Sequence, residues 1–202
     1  KGGVFLSHRL SEPATWVDAY GDYLYSYAFY RIQDDALAQD LVQETLTAAL
    51  KSRNNFKGNS SEKTWLTGIL KNKIMDSLRK KYKEPVVEDS MVDIHASEDR
   101  FDEKGQWVNG PEKWKANPEK LLEQKAFLDM VKLCLSELPE RPAHALTLRE
   151  IEGVSTETIC KVLNVTATNC WVILHRARSL MRKCIEAKWL ETTGVEKGGN
   201  ND

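Results

Sequence analysis

The residues whose types and spacing could do chemistry in this chain are cationic and small polar ones. The chemistry they suit is gripping phosphate and reading base edges. Between Ile151 and Lys183 the chain reads IEGVSTETICKVLNVTATNCWVILHRARSLMRK. Gly153 suits the end of one helix, Ser155 can cap the next, Ile159, Val162 and Leu163 supply its apolar face, and Asn164 and Val165 turn the chain, Asn164 in a left-handed position. Thr166 can then cap a long helix in which Cys170, Ile173, Leu174, Ala177, Leu180, Met181 and Cys184 recur at helical spacing. Trp171, His175, Arg176, Arg178, Arg182 and Lys183 fall on the opposite side. A short capped helix, a tight turn and a second helix with one core side and one cationic side are what a DNA-inserting helix-turn-helix requires. The N-terminal residues of the second helix, Ala167 to Val172, would meet base edges in a major groove. The plainer alternative is a solvated helix face.

A second cationic helix weakens that alternative. In NSSEKTWLTGILKNKIMDSLRKKYK, Asn59 to Lys83, Asn59 and Glu62 read as a capping box, and Trp65, Leu66, Ile69, Leu70, Ile74 and Leu78 lie on a helix that is otherwise basic. From Lys51 to Lys83 ten basic residues stand against only Glu62 and Asp76, a potential that attracts phosphates.

With both stretches in view, the chain resembles the extracytoplasmic-function group of bacterial RNA polymerase sigma factors. The family's polymerase-binding helix has the sense of DAEDLVQETF, and Asp34 to Leu50 here reads DDALAQDLVQETLTAAL. Its promoter-melting helix resembles TWLxxIxxNxxxDxLR, matched here by Thr64, Trp65, Leu66, Ile69, Asn72, Asp76, Leu78 and Arg79. A third match is LHRAR at Leu174 to Arg178, with LPERPAHALTLREIEG, Leu138 to Gly153, leading into the helix-turn-helix. Each motif is weak alone; their order and spacing make a joint signal. One departure is the apolar run Trp171, Val172 and Ile173, where many members carry polar residues.

The resemblance implies an all-α fold of two helical domains joined by an acidic, largely extended linker, the second domain carrying the helix-turn-helix. The expected boundaries are 10–84 for the polymerase-binding and promoter-melting domain, 85–117 for the linker, 118–190 for the helix-turn-helix domain and 191–202 for a disordered tail. It also implies sites. Asp40, Leu41, Gln43 and Glu44 would dock on the polymerase clamp. The loop SRNNFKGNSS, Ser52 to Ser61, would capture a base flipped from the non-template strand, with Phe56 for stacking, Asn54, Asn55, Asn59, Ser60 and Ser61 for edge recognition and Lys57 beside them. Lys63, Trp65, Lys71, Asn72, Asp76, Arg79 and Lys80 complete the downstream-element set, the cations holding backbone and Asn72 and Asp76 reading edges. Ala167, Thr168, Asn169, Trp171, Val172, His175, Arg176 and Arg178 form the upstream-element set. The implied partners are core RNA polymerase, through its clamp and flap regions, promoter DNA, and an anti-sigma factor that clamps both domains of a chain otherwise monomeric.

Composition is compatible with this. A chain of 202 residues, 41% hydrophobic, admits one or two modest cores and has no apolar run of membrane length. No signal-peptide pattern stands near the N terminus, so the cytoplasm is the expected compartment, and Lys1-Gly2-Gly3 without a Met reads as an incomplete end. The stretch from Glu84 to Glu123 is acidic, and Pro85 to Asn117 has the composition of a linker; Phe101, Trp107 and Trp114 within it would dock on neighbouring helices or anchor it in a channel of the polymerase. The aromatics of Tyr20 to Ile32 read as a core stripe, and Leu37, Leu41, Leu46 and Leu50 as the buried side of the helix that follows. Cys134, Cys160, Cys170 and Cys184 lack CxxC spacing and fall mostly at apolar positions, so buried reduced thiols are expected, with no metal and no cofactor. His8, His95, His144 and His175 form no triad pattern, and no phosphate-cradling Gly motif occurs, so an enzyme is not expected. The rivals are a one-component helix-turn-helix regulator, which would not need the basic N-terminal helix and its loop, and a purely protein-binding adaptor, against which the paired cationic surfaces argue.

Overall fold

A computed structural model of the protein describes residues 9–83 and 125–193, with side chains as far as Lys188. Among the described residues every regular element is helical, and the main break between the two compact units falls at Glu84 and Pro85. The expectations for the linker aromatics, for residues 85–117 and for the last part of the tail lie outside the described residues. Residues 191–193, expected to begin the tail, are the last residues of the helix Ala167–Thr193.

The N-terminal unit holds a short 3-10 turn, Pro13–Thr15, then α1 (Trp16–Ile32), α2 (Asp35–Ser52) and α3 (Glu62–Lys81), all three helices packed on one another. α1 stops at Gln33, whose left-handed φ of 57° lets its N–H reach Phe29 O at 2.8 Å. Asp34 then caps α2 by accepting the Leu37 N–H at 3.0 Å. The core is Trp16, Leu24, Ala28 and Ile32 from α1, Ala38, Leu41, Thr45 and Ala49 from α2, and Leu66, Leu70, Ile74 and Leu78 from α3.

Two expectations about this core need correcting. The α1 aromatics are mostly outside it: Tyr23, Phe29 and Tyr30 are exposed, because the i, i+4 stripe that faces α2 and α3 runs through Leu24, Ala28 and Ile32. In α2 the buried stripe is built largely of small residues, which lets the helices approach closely. Leu50 is left 50% exposed and Leu37 and Leu46 half-buried.

The C-terminal unit contains α4 (Lys125–Ser136), α5 (Glu140–Leu146), a π turn at Thr147–Ile151, α6 (Thr156–Leu163) and α7 (Ala167–Thr193). α7 is the spine, packing on α4 and α5 through a cluster of Leu135, Leu138, Ala143, Leu146 and Ala177 with Leu180 and Met181 beside it. Cys134 and Cys184 are disulfide-bonded between α4 and α7, contrary to the expectation of reduced thiols; local spacing carries no information about a pairing 50 residues apart. Cys160 and Cys170 remain thiols.

A candidate nucleic-acid interface

The helix-turn-helix is built from local devices. Gly153, at φ 65°, releases the chain from the π turn, and Arg149 Nη1 donates to Val154 O at 3.1 Å, holding that exit. Ser155 Oγ accepts the Thr158 N–H at 3.3 Å to start α6, and Asn164, at φ 51°, turns the chain, as expected of it. Thr166 Oγ1 accepts the Asn169 N–H at 3.2 Å, opening α7. Ile159, Val162, Leu163, Cys170, Leu174 and Ala177 are buried, so each of the two helices has one apolar side turned from solvent. The opposite side of α7 presents exposed Ala167, Thr168 and Trp171, with Asn169, Val172, His175 and Arg176 half-buried at its margin.

Trp171 is the most exposed large apolar side chain described, at 63%, and its ring stacks on His175 with centroids 5.2 Å apart and planes 23° apart. Burial, aided by the charge of Arg178, holds the His175 imidazole below its ordinary value, so at neutral pH the Trp ring rests on an uncharged partner. Arg178 is engaged: its Nε and Nη2 donate to Glu150 Oε1 at 3.1 and 2.6 Å. A phosphate at Arg178 therefore has to compete with a carboxylate. No spacing rule points to Glu150, 28 residues upstream, so sequence reasoning missed it.

In the N-terminal unit the expected base-capture loop runs from a 3-10 turn, Arg53–Asn55, to the start of α3. Asn54, Asn55, Lys57 and Asn59 are exposed, and Gly58 turns the chain at φ 70°. The expected capping box is not what starts α3. Ser61 is the cap, its Oγ accepting the Thr64 N–H at 3.2 Å and lying 2.8 Å from Thr64 Oγ1, so its hydroxyl is already used. Asn59 lies outside the helix, and Glu62 is the first helical residue.

Glu62 turns away from solvent and becomes the hub of the unit. It accepts from the backbone N–H of Ser11, Ser11 Oγ, Trp16 Nε1 and Tyr20 OH, each at 2.8 Å. Burial raises its carboxyl, but these donors together lower it by more, so the net value lies below the ordinary one. Beside this hub Trp65 meets Trp16 edge-on at 6.1 Å and Phe56 at 5.2 Å. Phe56 is therefore anchored through Trp65 to the core and keeps only part of its ring available, while Trp65 is half-buried and serves mainly to seat it.

The expected phosphate set is mixed in its engagements. Lys63 Nζ sits 3.6 Å from the Tyr23 ring centroid, a cation–π contact. Arg79 donates to Asp76 at 2.7 Å, so Asp76 is tied to a neighbour one turn away. Asn72, Lys71 and Lys80 are exposed along α3. On α2, Asp40, Gln43 and Glu44 are exposed, but Leu41 is 4% exposed and belongs to the core, so it cannot itself dock on a partner as expected. Among the described residues no group of three or more His, Cys, Asp or Glu could hold a metal, and no helix is long and apolar enough to cross a membrane.

Comparison with known proteins agrees with this architecture. Residues 16–84 match the Sigma-70 region 2 model and residues 128–181 the Sigma-70, region 4 model. The chain is 35% identical over 165 residues to a Haemophilus influenzae protein named "Probable RNA polymerase sigma factor", spanning 81% of this chain and 84% of that protein. It is 30% identical over 139 residues to the ECF RNA polymerase sigma-E factor of Escherichia coli, 69% of each chain. Among solved structures, the co-crystal of the sigma factor RpoE with the anti-sigma factor NepR from Bartonella quintana aligns with a TM-score of 0.40 at 21% identity, over 86% of this chain and 96% of that one. The helical units with a helix-turn-helix in the second define a transcription initiation factor of the sigma-70 class. The chain belongs to the extracytoplasmic-function RNA polymerase sigma factors. Family membership sets aside the one-component regulator, and sigma factors are initiation factors, not catalysts.

Proposed function

We propose that the two units divide promoter recognition between them. The exposed acids and amide of α2, Asp40, Gln43 and Glu44, dock on the clamp of core polymerase. The loop from Asn54 to Ser60 takes up a base flipped out of the non-template strand against the available edge of Phe56, while Lys57, Lys63, Lys71, Arg79 and Lys80 hold phosphates and Asn72 reads the adjoining pair. Unstacking a base costs a few kcal/mol, and a stacking partner worth ~1–3 kcal/mol plus phosphate contacts offsets it, so strand opening proceeds by binding alone. The N-terminal end of α7 lies in the major groove of the upstream element, with Trp171 and its neighbours at base edges and Arg176 and Arg178 at phosphates, and this unit meets the polymerase flap. The linker threads along the polymerase toward the RNA exit path. The chain acts in the cytoplasm, is a monomer in isolation, needs no cofactor, and is held by an anti-sigma factor between signals.

The observation that supports this reading is the presence of two separate helices with exposed polar and cationic side chains, α3 with its polar loop in one unit and α7 in the other. A regulator that only grips duplex DNA has use for the second alone. The test is run-off transcription with purified core polymerase on a pool of bacterial promoters. The chain should add specific starts that core enzyme lacks. Duplex binding without core enzyme, and no new starts with it, would contradict the proposal.

A further inference from the structure

Cys134 and Cys184 face one another between α4 and α7, their Cα atoms 5.7 Å apart, within the range a disulfide spans without backbone movement. The two sulfurs differ in access. Cys134 is wholly buried and Cys184 half-buried. Cys184 Sγ also lies 3.3 Å from Glu137 Oε2, and Glu137 Oε1 takes Lys188 Nζ at 3.0 Å. A half-buried cysteine with a wholly buried one bonded behind it has the arrangement of an attacking and a resolving thiol.

We propose that Cys134 and Cys184 form a reversible redox site, oxidised by small hydroperoxides and reduced by low-molecular-weight thiols. In the oxidising direction the Cys184 thiol loses its proton to water, and the thiolate attacks one oxygen of hydrogen peroxide. The O–O bond breaks, the expelled hydroxide takes back a proton from solvent and leaves as water, and Cys184 is a sulfenic acid. The Cys134 sulfur then displaces the hydroxyl, which departs with the Cys134 proton as a second water. Two thiols and one peroxide thus give one disulfide and two waters; two glutathione thiols reverse the bond and leave as oxidised glutathione.

Of the other two thiols, Cys170 is poorly suited to compete. Cys170 is buried, and burial together with its contact to Cys160 pushes it up to about 12, so it stays protonated and unreactive. The 50-residue separation of the linked pair means that the closed loop contains α5, the π turn, α6 and the start of α7, which is the whole helix-turn-helix. Closing that loop removes freedom from the unfolded chain and so strengthens the folded unit. This consequence does not depend on which DNA the unit reads.

The test uses the full chain, fully reduced and then treated with micromolar hydrogen peroxide. Alkylation should count two thiols lost of the four cysteines, a digest should give a peptide joining Cys134 to Cys184, and millimolar glutathione should restore all four thiols. The thermal midpoint of the C-terminal unit should rise by more than about 5 °C on oxidation. That rise should be absent from Cys184→Ser, a half-buried change chosen because Cys134→Ser risks the core. Four thiols still free, a peptide joining Cys160 to Cys170, a bond that glutathione leaves intact, or an unmoved midpoint would each overturn the proposal.

Discussion

The carboxylate of Glu44 on α2 accepts the ammonium of Lys73 on α3 at 2.9 Å, joining the helix assigned to polymerase docking to the helix assigned to promoter melting. The hydrogen bond and charge of Lys73 hold the Glu44 carboxyl below its ordinary value. Both side chains reach solvent, so the pair contributes only ~0.2–1 kcal/mol to the fold.

Exchanging the two residues separates their roles. The double variant Glu44→Lys, Lys73→Glu keeps an ion pair and should melt close to wild type, within roughly 0.5 kcal/mol. Capture of core polymerase should nevertheless fall at least tenfold, because the docking acid has become a cation. Wild-type capture in a folded double variant would confine Glu44 to bracing α2 against α3.

Glu62 should make the N-terminal unit acid-sensitive. Its carboxyl sits lower in the fold than the ordinary value of 4.5, so its contribution is fully present above that pH and is lost as pH falls through the folded value. The protection factors of α3 amides against hydrogen exchange should fall from about pH 4.5 downward, and Glu62→Gln should flatten that dependence. Glu62→Ala should destabilise the unit by roughly 2–4 kcal/mol, since Ser11, Trp16 and Tyr20 would lose a common acceptor. An α3 exchange profile in Glu62→Gln identical to wild type between pH 3 and pH 6 would remove Glu62 from this role.

Replacing Arg176 and Arg178 together by Ala should weaken binding of the C-terminal unit to duplex promoter DNA and lower the salt slope by roughly two, one for each phosphate contact. Glu150→Ala alone should strengthen binding, because Arg178 is released from its 2.6 Å partner. Fluorescence anisotropy across a salt series measures both. An Arg double variant with an unchanged slope would show that these guanidiniums serve only the fold.

Trp171→Ala should cost about 1–3 kcal/mol of upstream-element affinity while leaving the thermal midpoint nearly unmoved, since the ring is 63% exposed and touches mainly His175. Anisotropy with the wild-type and variant proteins decides this. Equal affinities would place the indole outside the groove.

Much of the helix-turn-helix was legible because its signals are local. Ser155, Asn164 and Thr166 act within three or four residues of where they stand, and the apolar repeat of α7 has one period throughout. What escaped sequence reasoning depends on distance along the chain. Glu62 was read as a local cap, yet its donors Ser11, Trp16 and Tyr20 are 51, 46 and 42 residues away. The Arg178–Glu150 and Cys134–Cys184 pairings carry no periodic trace either. The α1 aromatics misled for a different reason: several large residues share one helix, and only the positions of α2 and α3 decide which stripe is inside. Leu41 was carried into the docking surface with its neighbours in DLVQET, although it falls on the buried stripe with Ala38, Thr45 and Ala49.

Strand opening by the α2–α3 loop is tested most directly by permanganate reactivity of promoter thymines in complexes of core polymerase with wild-type protein or the double variant Phe56→Ala, Asn59→Ala, each complex first confirmed by pull-down. Wild-type complexes should show reactive thymines in the downstream element, and the variant should bind polymerase normally while its thymines stay protected. Thymines equally reactive with both proteins would contradict base capture by this loop.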